Sequence, residues 1–96
     1  MPAYIVADIE VTDPAEFDRY RPLAAATIAK FGGRYAVRGG TVELLEGGPE
    51  PSRIVMLEFP DMAAARRWYN SEEYQDALKI RLASARGRVF LVEGAG

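Results

Sequence analysis

The sequence contains neither cysteine nor histidine, and each absence excludes a class of chemistry. Without cysteine there are no disulfides, no thiolate nucleophiles and no zinc–thiolate sites. Without histidine the chain lacks the commonest general base and the commonest ligand of metals and haem. Any catalysis must therefore use Asp, Glu, Tyr, Lys or Arg side chains, or the reactivity of the bound molecule itself. We expect neither a metal nor a cofactor.

Long apolar runs and an excess of one charge are also lacking. The longest apolar run is far shorter than the ~20 residues that span a bilayer, and the first residues do not resemble a signal peptide. A formal net charge of -2 gives no electrostatic reason to bind nucleic acid or an anionic membrane. We therefore expect a cytoplasmic protein without such partners. Its 96 residues, nearly half of them apolar, are expected to form a single domain over residues 1–96.

Hydrophobic periodicity and capping residues predict the order strand, helix, strand, strand, helix, strand, with the second helical region in two pieces. The helices are expected to begin after the capping residues Asp13, Asp61 and Ser71. Pro22 is expected to kink or divide the first helix, and Gly87 to end the last one. Strands are predicted at residues 3–11, 34–38, 54–59 and 89–93, with an extended continuation at 41–46.

This order of elements predicts an α+β, ferredoxin-like βαββαβ fold, with a four-stranded antiparallel sheet and helices on one face. The two most apolar strands, 3–11 and 54–59, are expected in the centre. The other face would then carry apolar side chains with no helix over them, which is unusual on a monomer. We therefore expect a homodimer in which two sheets pack face to face about a two-fold axis. The apolar residues assigned to the uncovered face are Tyr4, Val6, Ile54, Met56 and Leu91, or their neighbours if the register is shifted.

Two arginines stand in places that ordinary packing does not explain. Arg38 ends a short strand between two Gly-Gly pairs, where a guanidinium is well placed to hold an anion. Regular alternation puts it on the side of the strand opposite Tyr35 and Val37. Arg81 lies in the apolar stripe of the last helix, where an unpaired guanidinium is costly. Either side chain could simply reach water, or it could enter a pocket and meet a carboxylate such as Glu46 or a ligand anion.

Four aromatic residues are candidates for the walls of such a pocket. Tyr20 lies in the first helix, and Trp68, Tyr69 and Tyr74 follow one another closely in the second helical region. Aromatic side chains at this spacing are most often part of the core. A buried phenol also needs a hydrogen-bond partner, so Tyr20 and Tyr74 are less plainly core residues.

A combined pattern along the chain also points to a family. It consists of the run Phe31–Gly40, then Glu46-Gly47, Glu58-Phe59-Pro60, Ala64, Trp68-Tyr69, Ser71, Tyr74-Gln75 and Arg81. This pattern resembles the bacterial domain-of-unknown-function family thirteen-thirty, in the dimeric α+β-barrel superfamily. The resemblance implies a ferredoxin-like fold in which the sheets of two protomers form a barrel. Superfamily relatives include cofactor-free monooxygenases, haem-degrading enzymes and muconolactone isomerases, but this chain has no histidine to ligate haem iron.

Two functions remain open at this point. The first is a homodimer with one small pocket per protomer for a small planar or anionic organic ligand, with Arg38 and Arg81 supplying charge and Glu46 orienting an arginine or exchanging a proton. If it catalyses, cofactor-independent proton transfer, isomerisation or reaction of a substrate carbanion with oxygen suits these residues. The second is a non-catalytic dimeric module that binds a metabolite or a partner protein. Arg38, Glu46 and Arg81 would then form a structural ion-pair network.

Overall fold

The computed structural model describes residues 1–96 and has the predicted ferredoxin-like α+β architecture. Four strands form one sheet, and three helices cover one of its faces. None of these helices combines the length and the apolar character that crossing a membrane requires. The elements in chain order are β1 (Ala3–Val11), α1 (Pro14–Lys30), β2 (Arg34–Arg38), β3 (Arg53–Phe59), α2 (Met62–Asn70), α3 (Glu72–Ser84) and β4 (Ala85–Glu93).

The sheet is antiparallel, in the order β2-β3-β1-β4, with the apolar strands β1 and β3 in the centre as predicted. The register places Ile5 opposite both Leu57 of β3 and Leu91 of β4. These side chains face the helices, because alternate residues of a strand share one face. The main core between sheet and helices buries Ala3, Ile5, Ala24, Ile28, Leu57, Phe59, Ala64, Ala65, Trp68, Tyr74, Ala77 and Leu78.

The three predicted capping residues each begin a helix. Asp13, Asp61 and Ser71 accept a hydrogen bond from the backbone N–H three residues further on, at 3.3, 2.7 and 3.2 Å respectively. The expected division of α1 at Pro22 does not occur, and the helix continues through it over 17 residues. Pro22 lies on the exposed side, where water can satisfy the carbonyl that loses its intrahelical partner.

Gly87 does not end the last helix, as the sequence predicted, but lies within β4. Helix α3 ends earlier, at Ser84, because pairing of β4 with β1 begins at the next residue, Ala85. Gly87 has a φ of +148°, and a Cβ there would lie 2.9 Å from Cα of Ile9 and collide with the carbonyl oxygen of Asp8. Glycine at this position therefore serves close approach of two strands.

The segment 41–46 forms no strand, which corrects the predicted extended continuation. Strand β2 is at the edge of the sheet, and the chain leaves it at Gly39, which has a φ of +70°. Beyond that turn no neighbouring strand is available for pairing, and residues 39–52 form the loop to β3. Leu45 is 88% exposed in this loop, so its alternation of apolar and polar residues does not reflect a half-buried strand.

The face of the sheet away from the helices, here called the open face, has an apolar centre and charged side chains around it, including Glu10, Glu58 and Arg34. Val6 lies at its centre, between Met56 of β3 and Phe90 of β4. Leu91 was expected here but faces the helices, and its neighbours Phe90 and Val92 occupy the open face, 44% and 45% exposed. The apolar residues of the open face are Tyr4, Val6, Val37, Ile54, Met56, Phe90 and Val92.

Candidate functional site

A cavity of about 60 Å³ lies on the helix-covered side of the sheet. One water molecule needs roughly 10–15 Å³ of such space, so the cavity can admit several waters or part of a small organic molecule. Twelve of its 16 lining residues are hydrophobic, and no carboxylate is among them. The other four lining residues are all arginines, namely Arg21, Arg38, Arg53 and Arg81.

Three hydrogen bonds hold the aromatic wall of the cavity. The hydroxyl oxygens of Tyr20 and Tyr74 lie 2.8 Å apart, so that one hydroxyl donates a hydrogen bond to the other. The indole N–H of Trp68 donates to Oγ1 of Thr27 at 3.0 Å, and that hydroxyl donates to the carbonyl oxygen of Ala24 at 2.8 Å. The ring of Trp68 packs on Tyr74 with centroids 4.0 Å apart. The wall is therefore fixed by satisfied buried polar groups as well as by ring packing.

Arg81 projects from α3 into the cavity and is only 8% exposed. Six ion pairs occur in the structure, and none involves Arg81. Its charge acts on the nearby Tyr20 phenol. Burial raises the pKa of Tyr20 well above its ordinary value, the neighbouring Tyr74 raises it further, and Arg81 opposes both. A buried, unpaired guanidinium beside a neutral phenol pair can accept an anion as its partner.

Arg38 reaches the cavity because the pairing of strand β2 is irregular, a feature that the sequence alone does not show. The register with β3 shifts between Tyr35 and Val37, which leaves one extra residue in β2. Arg38 consequently pairs with Val55 and faces the helices together with Tyr35, instead of lying on the opposite side as regular alternation predicted. Its guanidinium carbon lies 4.1 Å from the centroid of the Tyr35 ring. Burial raises the pKa of Tyr35, and the Arg38 charge opposes this shift.

Arg53, the first residue of β3, lines the cavity close to Arg38 and is half-buried. Its Nε is buried and has no hydrogen-bond partner. The guanidinium lies against Gly39, where an added Cβ would come within 2.6 Å of its Cζ. Burial lowers the pKa of Arg53, and the like charges of Arg21 and Arg38 lower it further. Three guanidinium groups are therefore close enough to repel one another here.

Five of the seven side chains singled out from the sequence line this cavity, and two do not. Glu46 is exposed in the 39–52 loop and is paired with neither arginine. Tyr69 packs on the ring of Tyr74, with centroids 5.7 Å apart, but lines a second cavity between α2 and β4. The five that line the first cavity are Tyr20, Arg38, Trp68, Tyr74 and Arg81.

Sequence reasoning missed other residues of the cavity, including Arg53, Arg21, Phe17 and Tyr35. Arg53 carried a usable signal, because it is two residues before Val55 and therefore shares a strand face with it. It was left out because the predicted strand began one residue too late. The other three needed the tertiary arrangement to be recognised.

The cavity supplies positive charge and neutral hydroxyl groups but no base. No group of three His, Cys, Asp or Glu side chains in the chain could hold a metal ion. The phenols of Tyr20 and Tyr35 both have raised pKa values and are protonated near neutral pH. The arrangement can therefore bind and stabilise an anion. A proton removed from a ligand would have to pass to an acceptor that is not among the residues lining the cavity.

Comparisons of sequence identify one family. A family model described as "Domain of unknown function (DUF1330)" matches residues 2–95, almost the whole chain. No curated protein matches the chain at a significant level.

Several solved structures share the fold. The methylated RPA0582 protein of Rhodopseudomonas palustris is 17% identical, with a TM-score of 0.81 over 99% of this chain and 82% of that one. SnoaB, a cofactor-independent oxygenase from Streptomyces nogalater, is 20% identical, with a TM-score of 0.70 over 99% and 94%. A dimeric ferredoxin-like protein of unknown function from Jannaschia sp. CCS1 is 20% identical, with a TM-score of 0.63 over the full length of both chains. At these identities the similarity establishes the fold.

Proposed function

The chain belongs to the family described as Domain of unknown function (DUF1330), and we propose that it is a homodimer whose cavity binds a small planar organic anion in each protomer. One observation carries the proposal: four arginines and no carboxylate line a cavity whose other walls are apolar and aromatic. Flat apolar walls suit a planar molecule, and unpaired guanidinium groups suit its negative charge.

Arg81 is the central binding residue in this proposal. It is nearly buried and has no partner within the chain, so a ligand anion would replace the water that its guanidinium loses on burial. The Tyr20–Tyr74 hydroxyl pair nearby can donate a further hydrogen bond. Arg81 and one hydroxyl would together stabilise an enolate or phenolate form of the ligand more than its neutral form.

Catalysis, if the bound molecule is activated in this way, belongs to the cofactor-independent class. The fold is shared with SnoaB, a cofactor-independent oxygenase, which supports this class. The chain's own contribution would be to hold a carbanion-like ligand in an apolar, partly enclosed site until it isomerises or reacts with oxygen. Such a ligand must be acidic enough to lose its proton without a protein base, because no carboxylate lines the cavity.

The homodimer is proposed to form through the open face. Met56, Val6 and Phe90 make an apolar row across three strands there, with no helix over it. A ferredoxin-like relative of the same length is described as dimeric, which supports the same association here. Val6→Glu should give a folded monomer by size-exclusion chromatography with light scattering, while the wild type elutes as a dimer. A monomeric wild type at micromolar concentration would contradict this part of the proposal.

Ligand binding can be tested by thermal shift with a panel of small aromatic and aliphatic carboxylates, phenols and enolisable ketones. A ligand that binds only the folded state raises the melting temperature in proportion to its saturation. We expect a rise for the wild type that is lost in Arg81→Met. The matched control is Arg67→Met, on the exposed side of α2, which should keep the full rise. Equal shifts in all three proteins would place the binding elsewhere.

A non-catalytic binding module is the second candidate, and the lack of a base in the cavity favours it. The ion-pair network imagined for this alternative does not form, because Glu46 lies in the exposed loop and Arg38 and Arg81 have no carboxylate partners. Proton NMR of an enolisable ligand in D₂O separates the two functions. Faster exchange of its acidic C–H with wild type than with Arg81→Met indicates activation, and no acceleration indicates binding alone.

A further inference from the structure

The four arginines of the cavity fall into two groups at different depths. Arg81 is nearly buried and influences the pKa of Tyr20. Arg38 is exposed and Arg53 is half-buried; the charge of Arg38 lowers the pKa of Arg53, and both charges oppose the raised pKa of Tyr35. The first group is the floor of the cavity and the second is here called the mouth. A ligand that fills the cavity meets positive charge at both ends.

Arg53 is held at the mouth of the cavity by Gly39 and by the Phe17 ring. Its guanidinium rests against Gly39, and any side chain at that position would occupy the same space. The N–H of Gly39 donates to the carbonyl oxygen of Ile54 at 2.9 Å, which fixes the glycine against β3. The guanidinium carbon also lies 5.9 Å from the centroid of Phe17. A glycine and an aromatic ring therefore hold the guanidinium in place while its buried Nε remains without a partner.

Arg21 completes the charge at the mouth from the helical side. Its guanidinium carbon lies 5.6 Å from the Phe17 ring, the ring that Arg53 also approaches. Arg21 lies 3.7 Å from Asp18, but both side chains are about half exposed or more, so this pair is weak. Arg38 and Arg53 have no such partner. Two guanidinium groups without carboxylate partners, reinforced by a third, can donate to both oxygens of a negatively charged carboxylate.

We infer that the ligand of this site is a single-ring aromatic acid with two polar ends: a carboxylate held at the mouth by Arg38 and Arg53, and a hydroxyl or carbonyl oxygen at the floor beside Arg81 and Tyr20. This inference rests on the proposed function and adds the ligand class, its orientation and the role of Arg53. The apolar and aromatic lining suits the faces of the ring, and the carboxylate end would project from the cavity towards the exposed Arg38. A ligand with only one polar end would leave one set of guanidinium groups without a partner.

The probes that test this are 4-hydroxybenzoate, benzoate and the neutral 4-hydroxybenzamide, measured by isothermal titration calorimetry. Wild type should bind 4-hydroxybenzoate at least about tenfold more tightly than the benzamide, because charge-assisted bonds at the mouth are lost with the carboxylate. Arg53→Met should remove most of that tenfold preference and leave affinity for 4-hydroxybenzamide nearly unchanged. Arg81→Met should instead weaken both hydroxyl-bearing probes and reduce the advantage of 4-hydroxybenzoate over benzoate.

Two glycine variants supply the structural control. Gly39→Ala should displace the Arg53 guanidinium and so lower the preference for the carboxylate probe, although no charge is removed. Gly47→Ala is the matched variant, because Gly47 has a similar φ of +79° but nothing within 4 Å of an added Cβ. It carries the same backbone strain without moving Arg53, and should keep the wild-type preference.

The outcomes separate this inference from the proposed function. If none of the three probes binds the wild type, both are overturned for this ligand class. If the probes bind but the carboxylate preference is absent, or survives in both Arg53→Met and Gly39→Ala, only the two-ended ligand is overturned. If Arg81→Met loses the preference for the carboxylate probe and Arg53→Met keeps it, the carboxylate binds at the floor and not at the mouth. That result would also contradict the inference.

Discussion

Three arginines outside the cavity and three in its lining have opposite surroundings. On α1, Arg19 lies 2.7 Å from Glu16, and on the open face Arg34 lies 2.8 Å from Glu58 and Arg86 lies 3.0 Å from Glu10. In the cavity, by contrast, Arg38, Arg53 and Arg81 have no carboxylate partner, although they are better shielded from water or closer to one another. Exposed pairs add little stability. Unpaired charge inside an apolar wall costs stability and is retained where a ligand completes it.

The comparison also shows what holds the cavity open. Its charged residues do not stabilise it, so the stability must come from packing and from the buried hydrogen bonds of the aromatic wall. The following four predictions test this contrast between the cavity and the outer surface.

The largest effect is expected from Thr27→Val in the aromatic wall. The substitution keeps the shape of the side chain but removes the acceptor of the Trp68 indole N–H, leaving a buried donor without a partner. Such a loss costs about 1–3 kcal/mol. Urea denaturation followed by tryptophan fluorescence measures it directly. A loss below ~0.5 kcal/mol would mean that the wall depends on ring packing alone.

The next effect concerns Tyr20 at alkaline pH. Burial keeps its folded-state pKa above the ordinary value of 10.0, so below that pH the phenol is neutral in both states. Above it the unfolded tyrosine loses its proton first, and stability falls as pH rises, by up to about 1.4 kcal/mol per pH unit for one group. Tyr20→Phe should reduce this fall between pH 10 and 11. Tyr35, whose pKa is also raised, should leave a residual slope.

A smaller effect of opposite sign is expected from Arg81→Met. The variant fills the same apolar surroundings without a buried, unpaired charge, so the ligand-free protein should become more stable by about 1 kcal/mol. The measurement is the free energy of unfolding in urea with no ligand present. A loss of about 3 kcal/mol or more would show instead that the guanidinium has a structural partner.

The smallest effect is expected on the outer surface. Arg19→Met breaks the pair with Glu16 on α1, in which the arginine side chain is 64% exposed, and should change stability by less than about 1 kcal/mol. Salt should reduce even this difference, because exposed charges are screened. If Arg19→Met cost more than Thr27→Val, the contrast between the two regions would be wrong. Denaturation at low and high salt gives both values.

The sequence predicted the local features of the fold well. Asp13, Asp61 and Ser71 begin helices because a cap depends on its own side chain and the next few residues. Arg81 was recognised because a charge in an apolar helical stripe is a local anomaly. Each of these signals is contained in a short window of the chain, so no tertiary information was needed.

The errors have the opposite cause, since each depends on a partner strand or on a loop path. Gly87 was taken as a helix end, although its role depends on the approach of Asp8 from β1. Arg38 was assigned to the wrong face because the extra residue in β2 is defined only by pairing with β3. Glu46 was placed near the arginines because it is close in sequence, whereas the 39–52 loop carries it into solvent.

The irregularity in β2 has a consequence for protein engineering. The same five residues, Arg34 to Arg38, would present Arg38 to the open face if they paired regularly and present it to the cavity as they pair now. The face that Arg38 occupies is therefore set by the pairing register of β2 and not by the identity of the residue. Replacing Ala36 with a β-branched residue, which favours regular pairing, is a way to move the Arg38 guanidinium from the cavity to the open face without substituting Arg38 itself.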